Sequence, residues 1–214
     1  MGQSLRIDIV SDVVCPWCVI GYLQMRKAIA TLPGDVTVDV HWQPFELNPH
    51  MPAEGQDLRE HLVQKYGPSA GRGSGARQQL TDLGNQLGFE FNYHDNMRIV
   101  NTFKAHQLLH WAEQHGLQTE LKLALFTAFF THSEDVSLNQ VLVSAAESVG
   151  LPATDASEVL HSERYADEVR VQQRRWLDKD VHAVPAFSFN DAYPLPGAQG
   201  EDTFARYLTK VLAA

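Results

Sequence analysis

Two cysteines stand three positions apart in the segment Cys15-Pro16-Trp17-Cys18, and the chain contains no others. A thiolate is the nucleophile in thiol–disulfide exchange, and a cysteine at the first turn of a helix lies where unpaired N–H groups and the helix dipole favour an anion. We therefore expect a thiol pKa at Cys15 of roughly 3.5 to 7. Cys18 follows one turn later, so the pair predicts a redox-active disulfide in which Cys15 forms a mixed disulfide with a partner and Cys18 resolves it.

The same spacing also occurs in zinc sites. A structural zinc site takes four protein ligands, and the sequence has no second Cys-x-x-Cys motif. His106 and His110 are four residues apart on a predicted helix, but a histidine pair without a glutamate between the two is a weak metal signal. We therefore expect no metal site, and two inert helix cysteines are the remaining alternative.

Length and charge narrow the classes of function. The chain has 214 residues, is 44% hydrophobic and has a formal net charge of −9. No basic cluster is present to bind a nucleic-acid backbone, and no apolar run approaches the ~20 residues that cross a bilayer. The first residues do not resemble a secretory signal, so we expect a cytoplasmic protein. Structural disulfides are rare in that compartment, which favours reactive cysteines.

The elements that position the dithiol come from both ends of the chain. Residues 5–10 and 36–42 alternate as strands, and residues 16–30 between them have a helical pattern with a proline at its start. Strand, helix and strand at this spacing predict a parallel βαβ unit. Near the other end, residues 185–189 and 192–195 predict a hairpin, followed by a helix over residues 201–212.

The stretch between these two ends has mainly helical patterns. We expect a flexible connection over residues 67–75 and helices over residues 97–115, 120–130, 138–149 and 156–177. The order βαβ, helices, ββα predicts an α/β thioredoxin-like fold with a large helical insertion. Residues 1–50 and 178–214 would form the thioredoxin-like domain, and residues 51–177 the helical subdomain.

Pro185 stands at the first residue of the predicted third strand. A proline there is tolerated simply because its missing N–H is not needed. The alternative is a cis Val184–Pro185 bond packed against the dithiol, with the Val184 backbone free to pair with an incoming chain. The residues alone leave both interpretations open.

Several segments together resemble the DsbA family of thioredoxin-like oxidoreductases, in particular its FrnE-like branch. The resemblance extends over nearly the whole chain, and its motifs occur in family order. They are residues 11–18 with Ile20-Gly21, residues 42–49, residues 101–106, residues 184–187 and residues 196–199. It implies a thiol–disulfide oxidoreductase with an attacking Cys15, a resolving Cys18 and a cis peptide at Pro185. No further cofactor would be required.

Related members of the superfamily are 2-hydroxychromene-2-carboxylate isomerases and kappa-class glutathione transferases. They use glutathione and usually have serine at the position of Cys15, so both thiols here favour redox chemistry without excluding glutathione. The resemblance would place glutathione at Val184 and at residues 199–202, where Gln199 and Asp202 are candidate contacts. The substrate class, protein or small molecule, stays open, as does a homodimer formed through the helical subdomain.

Three further residues are weaker candidates. Trp17 lies between the cysteines, and we expect it to be exposed and to contact substrate. His106 is a candidate for lining the cleft between the subdomains, although a histidine on a helix face is an equal interpretation. Asp12 is either a proton acceptor in the resolving step or a loop carboxylate that caps backbone N–H groups.

Overall fold

The computed structural model describes residues 3–68, 74–192 and 194–213. It confirms the strand–helix–strand start, the mainly helical middle and the strand–strand–helix end. The elements in chain order are β1 (Gln3–Ser11), α1 (Pro16–Ile29), β2 (Val36–Pro44), β3 (Gln56–Asp57), α2 (Leu58–Tyr66), α3 (Ser74–Leu87), β4 (Arg98–Ile99), α4 (Phe103–Glu113), α5 (Gln118–Phe130), α6 (Asn139–Ser148), α7 (Ala153–Ser162), α8 (Ala166–Asp178), β5 (Ala186–Phe189), β6 (Leu195–Pro196) and α9 (Glu201–Leu212).

The central sheet has the strand order β2-β1-β5-β6. β1 pairs in parallel with β2, with Ile7 opposite Val40, and antiparallel with β5, with Ile9 opposite Phe187. Because β1 is a central strand, every residue of its second half, Ile7 to Ser11, is buried, including the polar Asp8 and Ser11. The sheet therefore joins the two ends of the chain, and the predicted thioredoxin-like fold is confirmed.

Helices α1 and α9 pack against each other next to the sheet. Phe187 of β5 and Phe204 of α9 meet edge to face with their ring centres 4.8 Å apart, and Phe189 lies 5.1 Å from Tyr207. These aromatic pairs hold the closing helix to the strand that follows Pro185. The start of α1, which contains the dithiol, is thus fixed against β5.

The helical insertion attaches to the sheet through the edge strand β2. The Gln118 side chain exchanges two hydrogen bonds with the Trp42 backbone, at 2.8 and 3.0 Å, so it satisfies part of a strand edge. The Trp42 indole donates to Thr119 at 3.0 Å and packs against Phe126. One buried apolar core extends through both parts of the chain. The division at residues 51 and 177 stays a prediction.

Three local predictions were wrong. Only helical patterns and breaks were predicted between residues 57 and 150, but this region contributes to a two-stranded sheet of β3 and β4. Its strands have two residues each and are too short to give an alternating pattern. Helix α4 begins at Phe103 rather than at residue 97, because the Asn101 side chain accepts the Phe103 N–H at 2.9 Å and forms a turn before it. The helix predicted over residues 156–177 is two helices, since Glu163 adopts a left-handed conformation with φ of 50° and ends the first.

The terminal hairpin is confirmed, but its second strand is Leu195–Pro196 rather than residues 192–195. Asn190 and Asp191 both have positive φ, as a tight turn requires, and β5 pairs antiparallel with β6. Tyr193, in the predicted second strand, lies outside the described residues, as do residues 69–73 of the predicted flexible connection.

The helices that the structure describes are short. The longest, α1 and α3, have 14 residues each. A bilayer-spanning helix needs about 20 apolar residues. Within the described ranges, none of the helices combines the length and the apolar character required to cross a membrane.

Candidate active site

The dithiol lies where β1 gives way to α1. Cys15 is the residue that precedes the helix, Pro16 occupies its first turn, and the Cys18 N–H donates to the Cys15 carbonyl at 3.1 Å. Both cysteines are free thiols. Cys15 is 4% exposed and Cys18 is fully buried, so the Cys15 sulfur is the one that a substrate reaches first.

The Val184–Pro185 peptide bond is cis, as the family resemblance implies. The Cys15 thiol donates to the Val184 carbonyl oxygen over 3.6 Å, so this bond faces the dithiol. Gly21 allows the helix to approach: a Cβ there would lie 3.0 Å from the Phe187 ring and 3.2 Å from the Pro185 ring. The sequence thus brings Cys15, Cys18, Val184 and Pro185 together, while their catalytic roles stay predictions.

A buried polar cluster lies behind the dithiol. Asp12 accepts the Leu47 N–H at 2.8 Å, and the Nε2 of His106 lies 3.3 Å from its other carboxylate oxygen. Burial raises the pKa of Asp12, but these contacts with His106 and Leu47 outweigh it and lower the pKa below its usual value. The structure therefore places His106 in the interior, bonded to Asp12, because the carboxylate gives its ring a buried partner. It does not contribute to the wall of the cavity beside Cys15, described below.

Lys122 is a functional candidate that the sequence analysis missed. Its side chain on α5 is fully buried, and within the described ranges its ammonium group has no hydrogen-bond partner. It lies over the rings of Trp42 and Phe126, 5.2 and 5.0 Å from their centres. Burial lowers the pKa of Lys122 to about 8, opposed by the attraction of Cys18 and Asp12. A lysine in the apolar stripe of an otherwise hydrophobic helix was the available signal.

The two thiols titrate as a pair. The hydrogen bond that they share, together with burial, raises the pKa of Cys15 well above its usual value. Burial also raises the pKa of Cys18, but hydrogen bonds from Cys15 and Ser11 and the charge of Lys122 lower it below the usual value. Because the two thiols are coupled, these directions belong to the pair, and the expected lowered pKa of Cys15 stays a prediction.

A cavity of about 560 Å³ opens beside Cys15 and reaches into the helical insertion. Its mouth includes Trp17, which is 40% exposed as expected, and Val184. Deeper inside is Tyr93, whose hydroxyl has no hydrogen-bond partner within the described ranges and whose pKa is raised by burial. The dithiol is thus accessible from one side through a recess rather than on an open surface.

Gln199 and Asp202 lie away from this cavity. The Gln199 amide donates to the Pro196 carbonyl, and Asp202 is exposed in the first turn of α9. The Gly200 N–H between them donates to the Gln24 side chain at 3.0 Å, which places the start of α9 about two turns along α1 from the dithiol. Their predicted contact with glutathione stays a prediction.

A match to known proteins identifies the family. The family model for the DSBA-like thioredoxin domain matches residues 6–209. The chain belongs to this family. The FrnE-like resemblance proposed from the sequence agrees with the family's solved structures. A probable DsbA oxidoreductase from Streptomyces coelicolor is 31% identical, with a TM-score of 0.91, and the match covers 98% of this chain and 90% of that one.

Two further relatives of this DSBA-like protein are more distant. An uncharacterized protein of Bacillus subtilis, YwbO, is 26% identical over 97% of both chains. A 2-hydroxychromene-2-carboxylate isomerase is 12% identical, with a TM-score of 0.65 over 96% of this chain and 95% of that one, which is a likeness of fold alone. The relationship to a probable oxidoreductase at 31% identity supports an enzyme.

The described part of the chain contains no candidate metal centre. Over residues 3–68, 74–192 and 194–213, no three histidine, cysteine or carboxylate side chains group closely enough to hold an ion. His106 faces Asp12, whereas His110 contacts Gln172 and packs against Tyr165. The two histidines therefore have different neighbours.

Proposed function

We propose that this DSBA-like protein catalyses thiol–disulfide exchange through the Cys15–Cys18 dithiol. The observation that carries the proposal is the position of Cys15: it is the outer thiol, at the start of a helix, facing the Val184 carbonyl across a 3.6 Å contact. Buried inert cysteines would not need an adjoining cavity or an opposing backbone group. The attacking and resolving roles are those that the family resemblance implies.

In the reductive direction the Cys15 thiolate attacks one sulfur of a substrate disulfide. The substrate S–S bond breaks, a Cys15–substrate bond forms, and the other substrate sulfur leaves as a thiolate. The Cys18 thiolate then attacks the Cys15 sulfur and expels the second substrate thiolate. Two protein thiols are oxidised to one disulfide and one substrate disulfide is reduced, with an external dithiol or thiol restoring the enzyme.

The buried groups support these steps. The two coupled thiols of the reduced pair share the first negative charge. Attack by Cys15 requires the charge to be on its own sulfur and the remaining proton to be on Cys18. Lys122 keeps a positive charge near both thiols, which stabilises the anion at either position.

Reduction of insulin by dithiothreitol tests the proposal. The wild-type chain should accelerate the reaction, and Cys15→Ser should return it to the uncatalysed rate. The matched serine keeps the size and the hydrogen bond to Val184 while removing the nucleophile. Equal acceleration by the two proteins would contradict the proposal.

A glutathione-dependent isomerase or transferase is the second candidate, and the cavity beside Cys15 favours it because a small substrate would fit there. In that case glutathione would bind through Val184 and the Gln199–Asp202 segment. Titration calorimetry with glutathione, followed by an isomerase assay on a hydroxychromene carboxylate, separates the two. Isomerisation that persists in Cys18→Ser would favour the second candidate, since it needs no resolving thiol.

A further inference from the structure

The cavity beside Cys15 has an apolar interior. The side chains of Leu58, Leu80, Met97, Ile99, Phe129 and Phe130 line it, and each is at most 9% exposed. Its volume of about 560 Å³ is that of a small-molecule site, which typically spans 300 to 1,000 Å³. An extended protein chain needs an open groove, whereas a recess of this size encloses most of a compact molecule.

The charge of the lining is one-sided. Lys65 and Arg77 line the cavity, and no aspartate or glutamate does so in the described part of the chain. The chain as a whole has 26 acidic and 17 basic residues, so an all-basic lining is opposite to its average. His61 also lines the cavity, but burial and the charge of Lys65 lower its pKa, so it stays neutral at pH 7.

Neither basic group is neutralised by the protein. The Lys65 ammonium donates to the Leu47 carbonyl at 3.1 Å and the Asn48 side-chain oxygen at 3.0 Å, which are both neutral acceptors. Within the described ranges no carboxylate pairs with Lys65 or Arg77. The lining therefore complements an anion attached to an apolar body.

We propose that this cavity selects, among low-molecular-weight disulfides and thiols, those that combine an apolar, ring-sized body with an anionic group. The proposal rests on the exchange chemistry proposed above and specifies its substrate class. The apolar body would lie among the buried leucines and phenylalanines, and the anion would lie toward Arg77 and Lys65. The reacting sulfur would then face Cys15 at the mouth.

Two aromatic disulfides test this selection. 5,5′-Dithiobis(2-nitrobenzoate) has a carboxylate on each ring, whereas 4,4′-dithiodipyridine has none. In each reaction the Cys15 thiolate breaks the S–S bond and releases one aromatic thiolate, Cys18 releases the second, and the protein ends as the disulfide. We would measure both rates in stopped flow on the reduced protein and divide each by the rate with dithiothreitol alone.

The normalised rate should favour the anionic disulfide by about tenfold, a difference of about 1.4 kcal/mol. Arg77→Gln and Lys65→Gln should each reduce this preference by about three- to tenfold, which lies within the range for the net contribution of one typical hydrogen bond. Arg59→Gln is the matched control: Arg59 is exposed on α2, the helix of Lys65, and does not line the cavity. It should keep the preference.

The outcomes separate the two proposals. If the reduced protein reacts with both disulfides but its normalised preference is about one, the cavity proposal is overturned and the exchange chemistry stands. A loss of preference in Arg59→Gln equal to that in Arg77→Gln would also overturn it, because the selection would then come from overall charge. If neither disulfide reacts, the proposed exchange chemistry fails and the substrate class fails with it.

Discussion

Cys15 and Cys18 are one helical turn apart, yet the groups around them differ in polarity and access. The front face of the dithiol consists of Cys15, Trp17, Val184 and the apolar cavity that opens beside them. The back face consists of Cys18, Asp12, His106 and Lys122, all at most 2% exposed. A substrate approaches the front, while the charges that act on the thiols are enclosed behind.

The two faces would therefore have different roles. A buried charge in surroundings of low dielectric acts strongly on a neighbouring thiol, because no water screens it. The recess at the front determines which molecule fits, through its volume, its apolar walls and its basic groups Lys65 and Arg77. The front face would therefore control substrate choice, and the back face the position of the proton and the negative charge. Each prediction below alters one face and follows its effect on the other.

The largest effect is expected from Cys18→Ser. The front face stays intact, so Cys15 still attacks, but the mixed disulfide is not resolved, and turnover of insulin should fall by about a thousandfold or more. Mass spectrometry should detect substrate attached to Cys15. Cys15→Ser is the matched variant and should give no adduct. An adduct on Cys18 in Cys15→Ser, formed at the wild-type rate, would reverse the two roles.

The second-largest effect is expected in the free energy of unfolding when the buried charge of the back face is removed. The buried ammonium of Lys122 lacks a hydrogen-bond partner, so Lys122→Met should stabilise the reduced protein at pH 7 by about 2 kcal/mol. Urea unfolding of the two proteins measures the difference. Lys210→Met, at an exposed site in the last turn of α9, is the control and should not give this gain.

The stability gain of Lys122→Met should depend on pH, because burial lowers the pKa of Lys122. Between about 8, the pKa of Lys122 in the folded protein, and about 10.4 in the unfolded chain, the unfolded state binds more protons. Wild-type stability relative to Lys122→Met should therefore rise with pH through this window and the advantage of the variant should shrink. A gain that stays constant to pH 10 would show that the pKa of Lys122 is the same in the folded and the unfolded protein.

The sequence predicted the front face better than the back. The cysteine spacing and the proline at the start of a helix are local patterns that predicted the dithiol, whereas the opposing Val184–Pro185 backbone was implied only by the family resemblance. Lys122 is 104 positions after Cys18, and only the packing of α5 on β2 brings it behind the dithiol. His106 was considered as a cleft residue because residues 101–106 belong to the family resemblance. Its burial against Asp12 depends on a contact between residues 94 positions apart, which no local pattern predicts.

A smaller effect is expected where the helical wall of the front face is tightly packed. A Cβ at Gly84 of α3 would lie 2.5 Å from the Phe91 ring and 2.6 Å from the Phe89 carbonyl oxygen. Gly84→Ala should therefore destabilise the protein by about 1 to 2 kcal/mol, because backbone and ring must shift. Gly75→Ala, on the same helix and with no atom of the described residues within 4 Å of its Cβ, should instead stabilise by about 0.5 to 1 kcal/mol. Equal changes in thermal unfolding of both variants would contradict this packing.

The smallest effect links the two faces through the thiolate. Lys122→Met removes a positive charge that favours the anion at Cys18, so the first thiol pKa of the pair should rise by about half a unit to one unit. Thiolate absorbance at 240 nm against pH measures it, with Lys210→Met as the unshifted control. If Lys122→Met is more stable than the wild type but its thiols are less ionised, the Lys122 charge costs stability and favours the thiolate. The back face would then retain this charge because the thiolate is the reactive form of the dithiol. An unchanged thiol pKa would indicate that the charge of Lys122 acts on the Asp12 carboxylate rather than on the thiols, since Lys122 also lowers the pKa of Asp12.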